Sequence, residues 1–160
     1  MNICTYNCRT LNNGALEQIL LEMENVHWDI IGLCETRQIE EGRHEVQDHV
    51  LLTSKNTSGR RERGTGFLVH KTLKSNILDF EPVSDRLCWI TLIGNKVKKT
   101  KITILQVYMP TSDADDEEIE EIYDTMESII HKIPKSDTLI VQRDFNSKPE
   151  IYLIQISIAL

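Results

Sequence analysis

The chain lacks any apolar run long enough to cross a membrane. Its closing segment, 151–160, holds ten residues, short of the ~20 a membrane helix needs. Aromatics are sparse at 6%, and seven glycines and four prolines among 160 residues leave no low-complexity linker between two folding units. Positive charge is in the minority, 18 Lys and Arg against 25 Asp and Glu, which argues against coating nucleic acid by bulk charge and leaves room for a local site. The first residues, MNICT, carry neither the charged nor the apolar region of a signal peptide. Cysteine is confined to Cys4, Cys8, Cys34 and Cys88. Four strand steps would set Cys4 and Cys8 about 13 Å apart, too far for one zinc ion without a chain reversal. Buried free thiols are expected, in an intracellular chain of nucleus or cytoplasm, neither secreted nor membrane-bound.

What is present suits one domain, with 40% apolar and 27% charged residues. Charge is unevenly placed. Residues 1–50 hold three positive and nine negative side chains, 51–110 eleven and four, and 111–160 four and twelve. The basic middle third either faces phosphates or forms solvated loops.

Residues 2–8 read as a strand, and Leu16, Ile19, Leu20, Met23 and Val26 follow helical spacing over roughly 14–27. DIIGLC, 29–34, is a buried-strand run. The polar, basic stretch 55–64 is a loop, and strands are expected at 65–70, 74–80, 87–93 and 101–108. Gly94-Asn95 gives a hairpin-like turn between the last two. A helix follows Thr111-Ser112-Asp113, because Ile119, Ile122, Tyr123, Met126, Ile129, Ile130 and Ile133 form one apolar stripe. Ser112 or Asp113 can cap it, its acidic first turn suits the helix dipole, and Pro134 stops it. TLIV, 138–141, is a further strand. This order predicts an α/β fold of four layers, two packed mixed sheets flanked by helices, over a doubly wound parallel sheet.

Strand ends carry the informative polar residues: Asn7, Glu35, Tyr108, Asp144 and Asn146. Carboxylates and amides delivered to a sheet edge can hold an oxygen-liganded Mg²⁺, although polar residues also follow strands simply as turn formers. NICTYNCRTL, GLCET, GTGFLVHK, VYMP and DFN occur in that order over about residues 1–149. The series resembles the endonuclease/exonuclease/phosphatase superfamily. It is most similar to non-LTR retrotransposon endonuclease domains and, through EPVSDRLCWITL and VYMPTSDADDEEIEEIY, to craniofacial development protein 2-like chains.

That resemblance implies Mg²⁺-dependent (or Mn²⁺-dependent) hydrolysis of a DNA phosphodiester, leaving a nick. By it, Glu35 binds the metal with Asn7 beside it, Tyr108 contacts the scissile phosphate, Asp144 aligns or deprotonates water, and Asn146 supports it. Lys55, Arg60, Arg61 and Arg63, and further along Lys71 and Lys74, are candidates for DNA phosphate contact by charge.

Two departures are visible. Arg143 replaces the glycine that the resemblance leads one to expect before Asp144; it can pair with Asp144, reach a phosphate or point to solvent. After Pro149 the chain reads EIYLIQISIAL, without the closing Ser-Asp-His segment. The expectation is a truncated domain, 1–149, missing its C-terminal strands, with an apolar non-family tail at 150–160 that forms a makeshift strand or an aggregation-prone edge. Nicking should then be weak or absent, and the alternative is a non-catalytic remnant with a binding or structural role. Activity on inositol phosphates or sphingomyelin fits the motifs less well. Asp48-His49 lies between the Glu35 and GTGFLVHK segments and reads as a strand start, not a substitute histidine; His27, His44, His70 and His131 match no catalytic position.

Overall fold

Alternating apolar positions along short strands and two amphipathic helices sort the chain into four layers. The computed structural model describes all residues except 12–13, 39–40, 55, 57–59, 95–96, 98–99, 112–113, 145–151 and 156–160, with backbone alone at 152–155. Its elements are β1 (Asn2–Asn7), α1 (Ala15–Glu22), β2 (Ile30–Cys34), β3 (Gly42–Val46), β4 (His49–Thr53), β5 (Thr65–Val69), a 3₁₀ helix (Lys71–Asn76), β6 (Ile77–Glu81), β7 (Leu87–Ile93), β8 (Lys101–Tyr108), α2 (Asp116–Lys132), β9 (Thr138–Asp144) and β10 (Tyr152–Gln155).

The first sheet has six strands in the order β10-β1-β2-β5-β4-β3, and the second has four in the order β6-β7-β8-β9. Both are mixed: β1 runs parallel to β2 and β8 parallel to β9, while the other pairs are antiparallel. Between the sheets lie Ile3, Ile30, Val50, Leu52, Phe67, Val69, Ile90, Leu92, Ile102 and Ile104. Ile19 and Met23 of the α1 region pack with Cys4, Ile31, Leu33 and Leu68 on the outer face of the first sheet. Ile122 and Ile129 of α2 pack with Leu105 and Val107 on the outer face of the second. Each fully buried side chain of this size contributes about 1.5–3 kcal/mol by leaving water. The four-layer α/β expectation is met.

Several local readings need correction. The first helix ends at Glu22 instead of running to 27, because Met23, at 1% exposure, turns into the core while Glu24 and Val26 bond back only three residues. The second is capped by Asp115, which accepts from the Glu118 amide; the expected caps Ser112 and Asp113 lie outside the described residues. The 74–80 strand begins at Ile77, after the 3₁₀ helix. The β3–β4 hairpin escaped notice, since β3 (GRHEV) is largely exposed and has no apolar alternation. β7 and β8 pair as expected, with Ile93 opposite Lys101 across a loop longer than a two-residue turn. Within the tail, residues 152–155 form a strand antiparallel to β1, and that strand is the edge of the first sheet. The four cysteines are free thiols, three buried and Cys8 intermediate.

One polar layer interrupts the apolar interior. Gln106 of β8 and Gln142 of β9 are adjacent in register and almost wholly buried. The Gln106 amide donates to Thr5 Oγ1 and to Cys34 Sγ, both at 3.1 Å. Opposite them stands Gly32, where a Cβ would fall 1.8 Å from Gln106 Oε1. Glycine here makes room for two glutamine side chains.

Candidate active site

Strand alternation carries this inner face to one end of both sheets. On β8, Ile102 and Ile104 face the first sheet, Gln106 continues the series, and Tyr108 is next. On β9 the same phase runs through Ile140 and Gln142 to Asp144, and on β1 through Ile3 and Thr5 to Asn7. Glu35 breaks parity. Cys34 faces the interior, where it meets Gln106, so its successor in an extended strand would face α1. A φ of 55° at Glu35 re-aims the carboxylate inward, a left-handed conformation uncommon for a residue with a Cβ and found often at functional sites.

The result is a compact polar cluster. Asn7 Nδ2 donates to Glu35 Oε1 and to Asp144 Oδ2, both at 2.9 Å. The Tyr108 hydroxyl donates to Glu35 Oε1 at 3.2 Å. Arg37, itself at φ 52°, reaches Glu35 Oε2 at 2.9 Å. Asp144 is buried at 7% exposure and the Glu35 side chain is 18% exposed. Partial burial works to raise the Glu35 pKa, but hydrogen bonds from Asn7, Arg37 and Tyr108 outweigh it, and the carboxyl sits below its ordinary value. Burial, with the Glu35 charge behind it, pushes the Tyr108 hydroxyl up to about 12. It is therefore a proton donor throughout the neutral range.

Four of the five expected site residues, Asn7, Glu35, Tyr108 and Asp144, thus meet. Asn146 lies outside the described residues. Arg143 follows alternation to the other face of β9, where its guanidinium donates to the Tyr123 hydroxyl on α2 at 3.4 Å. It does not take the inward course toward Asp144 that its sequence adjacency allowed.

The basic candidates separate into groups. The loop that ends at Gly64 packs on the Glu35 segment, with Thr36 N bonded to Gly64 O at 3.1 Å and Arg37 N to Arg63 O at 2.7 Å. Arg60 and Arg61, in the same loop, are exposed. Arg63 is engaged by Glu118 at 3.2 Å and Asp85 at 3.8 Å. Lys71 and Lys74 follow β5 at the opposite end of the sheet, and Lys74 pairs there with Glu45 at 2.6 Å. Lys55 lies outside the described residues. His49 starts β4 as expected and, with His70 and Trp28, forms a ring cluster also at the far end.

Sequence reasoning missed Arg37, Arg86 and Glu118. Arg86 immediately precedes β7 and is buried at 7% exposure. Its Nη1 donates to the Tyr108 carbonyl at 3.3 Å, its own carbonyl accepts from the Tyr108 amide at 2.8 Å, and its guanidinium carbon lies 5.4 Å from the Tyr108 ring centre. Glu118 Oε1 accepts from Arg86 Nε at 2.9 Å and is ion-paired with Nη2 at 2.7 Å. The signal available was the charged pair Asp85-Arg86 directly before the apolar run LCWITLI. Glu118 was hidden in an acidic stretch that the helix dipole alone accounts for.

The donor set suits a hard divalent cation: two carboxylates drawn together by one amide, with only oxygen to offer. Among the described residues no group of three His, Cys, Asp or Glu forms a metal cluster. Magnesium commonly completes such a set with waters and substrate phosphate oxygens. No described helix is long and apolar enough to cross a membrane.

No family model matches the chain. Craniofacial development protein 2 of Bos taurus is 30% identical over 146 residues, 91% of this chain and 24% of that protein. The AP endonuclease LMAP of Leishmania major superposes with a TM-score of 0.66 at 14% identity, covering 91% of this chain and 55% of its own. The endonuclease domain of TRAS1, a telomere-specific non-LTR retrotransposon, gives 0.57 at 15% identity, covering 92% and 59%. The fold is that of endonuclease/exonuclease/phosphatase domains. The chain spans about a quarter of the curated relative's length and little more than half of these two structures.

Proposed function

We propose that residues 1–149 form a DNA phosphodiesterase unit that nicks its substrate slowly with Mg²⁺, or Mn²⁺, while 150–160 is an appended tail. The observation that carries this reading is the single amide of Asn7 holding Glu35 and Asp144 together, with the Tyr108 hydroxyl on the same carboxylate. Glu35 would hold the ion with Asn7 beside it. Once bound, Mg²⁺ supplies charge neutralisation at a phosphate oxygen and a lowered pKa for bound water. Asp144 aligns the attacking water and accepts its proton, supported by Asn146. Tyr108, kept protonated by its raised pKa of about 12, donates to a non-bridging phosphate oxygen as negative charge grows there. Arg37 beside Glu35, with Arg60 and Arg61 exposed in the loop packed on that segment, would offer positive charge to a DNA backbone. His49 and His70 stack with Trp28 at the far end of the strands and take no part in this reading.

A second reading, a binding remnant without turnover, draws on the Arg37–Glu35 pair. With Asn7 and Tyr108 on Oε1 and Arg37 on Oε2, both Glu35 oxygens are already engaged. Nicking of supercoiled plasmid in Mg²⁺, by this chain and by Glu35→Ala, separates the two. Nicking that disappears in the variant supports the phosphodiesterase. If neither nicks, and Mg²⁺ raises the melting temperature of neither, the remnant reading replaces it.

A further inference from the structure

We infer that Arg86 is a positioning residue for Tyr108, held in place by Glu118 so that α2 fixes the direction of the Tyr108 hydroxyl. This rests on the reading of Tyr108 as a phosphate donor and goes beyond it by locating what aims that donor.

The geometry is a relay of rigid parts. Glu118 sits in the first turn of α2, where a negative side chain is favoured, and its backbone amide is held by the Asp115 cap. Two guanidinium nitrogens of Arg86 converge on one Glu118 oxygen. The third, Nη1, reaches the Tyr108 carbonyl, and the backbones of Arg86 and Tyr108 are bonded as well. The guanidinium also stands 5.4 Å from the ring centre, where a cation is attracted to a tyrosine face.

Tyr108 ends its strand and is half-buried, so packing alone does not fix its ring. The face contact from Arg86 limits rotation about the side chain, and the hydroxyl is left directed at Glu35. Burial of an arginine at 7% exposure is costly unless paired. Among the described residues, the guanidinium's partners are Tyr108 and Glu118 of the helix that anchors it. Arg63 meets the same Glu118 oxygen at 3.2 Å, so the loop on the Glu35 segment shares the anchor.

Lysine cannot replace this arrangement, because an ammonium lacks the planar fork that serves Glu118, the carbonyl and the ring together. The test uses the intact chain labelled with ¹³C-tyrosine, the Tyr108 ring signals being assigned with Tyr108→Phe. In Arg86→Ala, Arg86→Lys and Glu118→Ala the Tyr108 ring resonances should move beyond their linewidth, while the Tyr6 signals stay in place. In plasmid nicking, Arg86→Lys should lower kcat about tenfold or more with KM little changed, as expected when a donor is misaligned instead of substrate binding lost.

Unmoved Tyr108 signals in a folded Arg86→Ala protein overturn the inference. Should that variant fail to fold, the same resonances in Arg86→Lys and Glu118→Ala decide it. Absence of nicking by the unmodified chain counts against the functional reading alone, because the ring signals are read without turnover.

Discussion

Removing the Asn7 amide tests the core of the site most directly. In Asn7→Ala two hydrogen bonds are lost, to Glu35 and to Asp144, each 2.9 Å long and each to a carboxylate. Bonds to charged groups contribute about 1.5–3 kcal/mol when buried, and this pair is partly exposed, so a combined loss of about 2–3 kcal/mol at pH 7 is expected. The effect must depend on pH. Glu35 has a lowered pKa in the folded chain, to which Asn7 contributes. Such a group adds stability above its ordinary pKa, and that stability disappears as pH falls through the folded value. Urea unfolding at pH 7 and at a pH below the folded pKa of Glu35 should therefore show a large deficit for Asn7→Ala at neutral pH and a smaller one in acid. An equal deficit at both would refute the argument, because Asn7 would then act through packing and not through the Glu35 carboxylate.

Gly32→Ala places a methyl group against Gln106 and Gln142; with Gln106 fully buried, it should cost about 2 kcal/mol in urea unfolding, and pairing it with Gln106→Ala should recover part of that. Arg60→Ala and Arg61→Ala should each reduce the salt slope of DNA binding by about one contact, whereas Lys74→Ala, across the molecule and paired with Glu45, should leave it unchanged. The thiols of Cys4 and Cys88, raised by burial to about 12, should react with a thiol reagent only as fast as the native chain unfolds. Rapid labelling at pH 8 would contradict their placement.

Much of this was legible in the sequence, for definable reasons. Strands such as LCWITLI and the stripe from Ile119 to Ile133 declare their periods, and the residues ending the strands supply the candidate cluster. Alternation explains why Asn7, Tyr108 and Asp144 meet, but it would have sent Glu35 outward. Only its left-handed backbone brings it in, and no periodicity encodes that. The β3 strand was illegible because an edge hairpin arm with an exposed surface needs no apolar alternation. Arg86 and Glu118 were missed because their pairing spans 32 residues, a distance over which a one-dimensional pattern carries no signal. The basic segment looked uniform as a charge count, yet β5 carries its two halves to opposite ends of the first sheet.

The bond between Asn7 and Asp144 joins residues 137 positions apart. The first strand supplies one side of the site, and the last residue of β9 supplies the other. Closing so long a loop is among the late and entropically expensive events of folding. During synthesis, every residue through β9 must leave the ribosome before the two carboxylates can be drawn together, and until then Asn7 and Glu35 stand without Asp144. Any product that stops short of β9 can form the first sheet's parallel pair and still hold no complete centre. Assembly of this cluster is thus a readout of synthesis having passed β9.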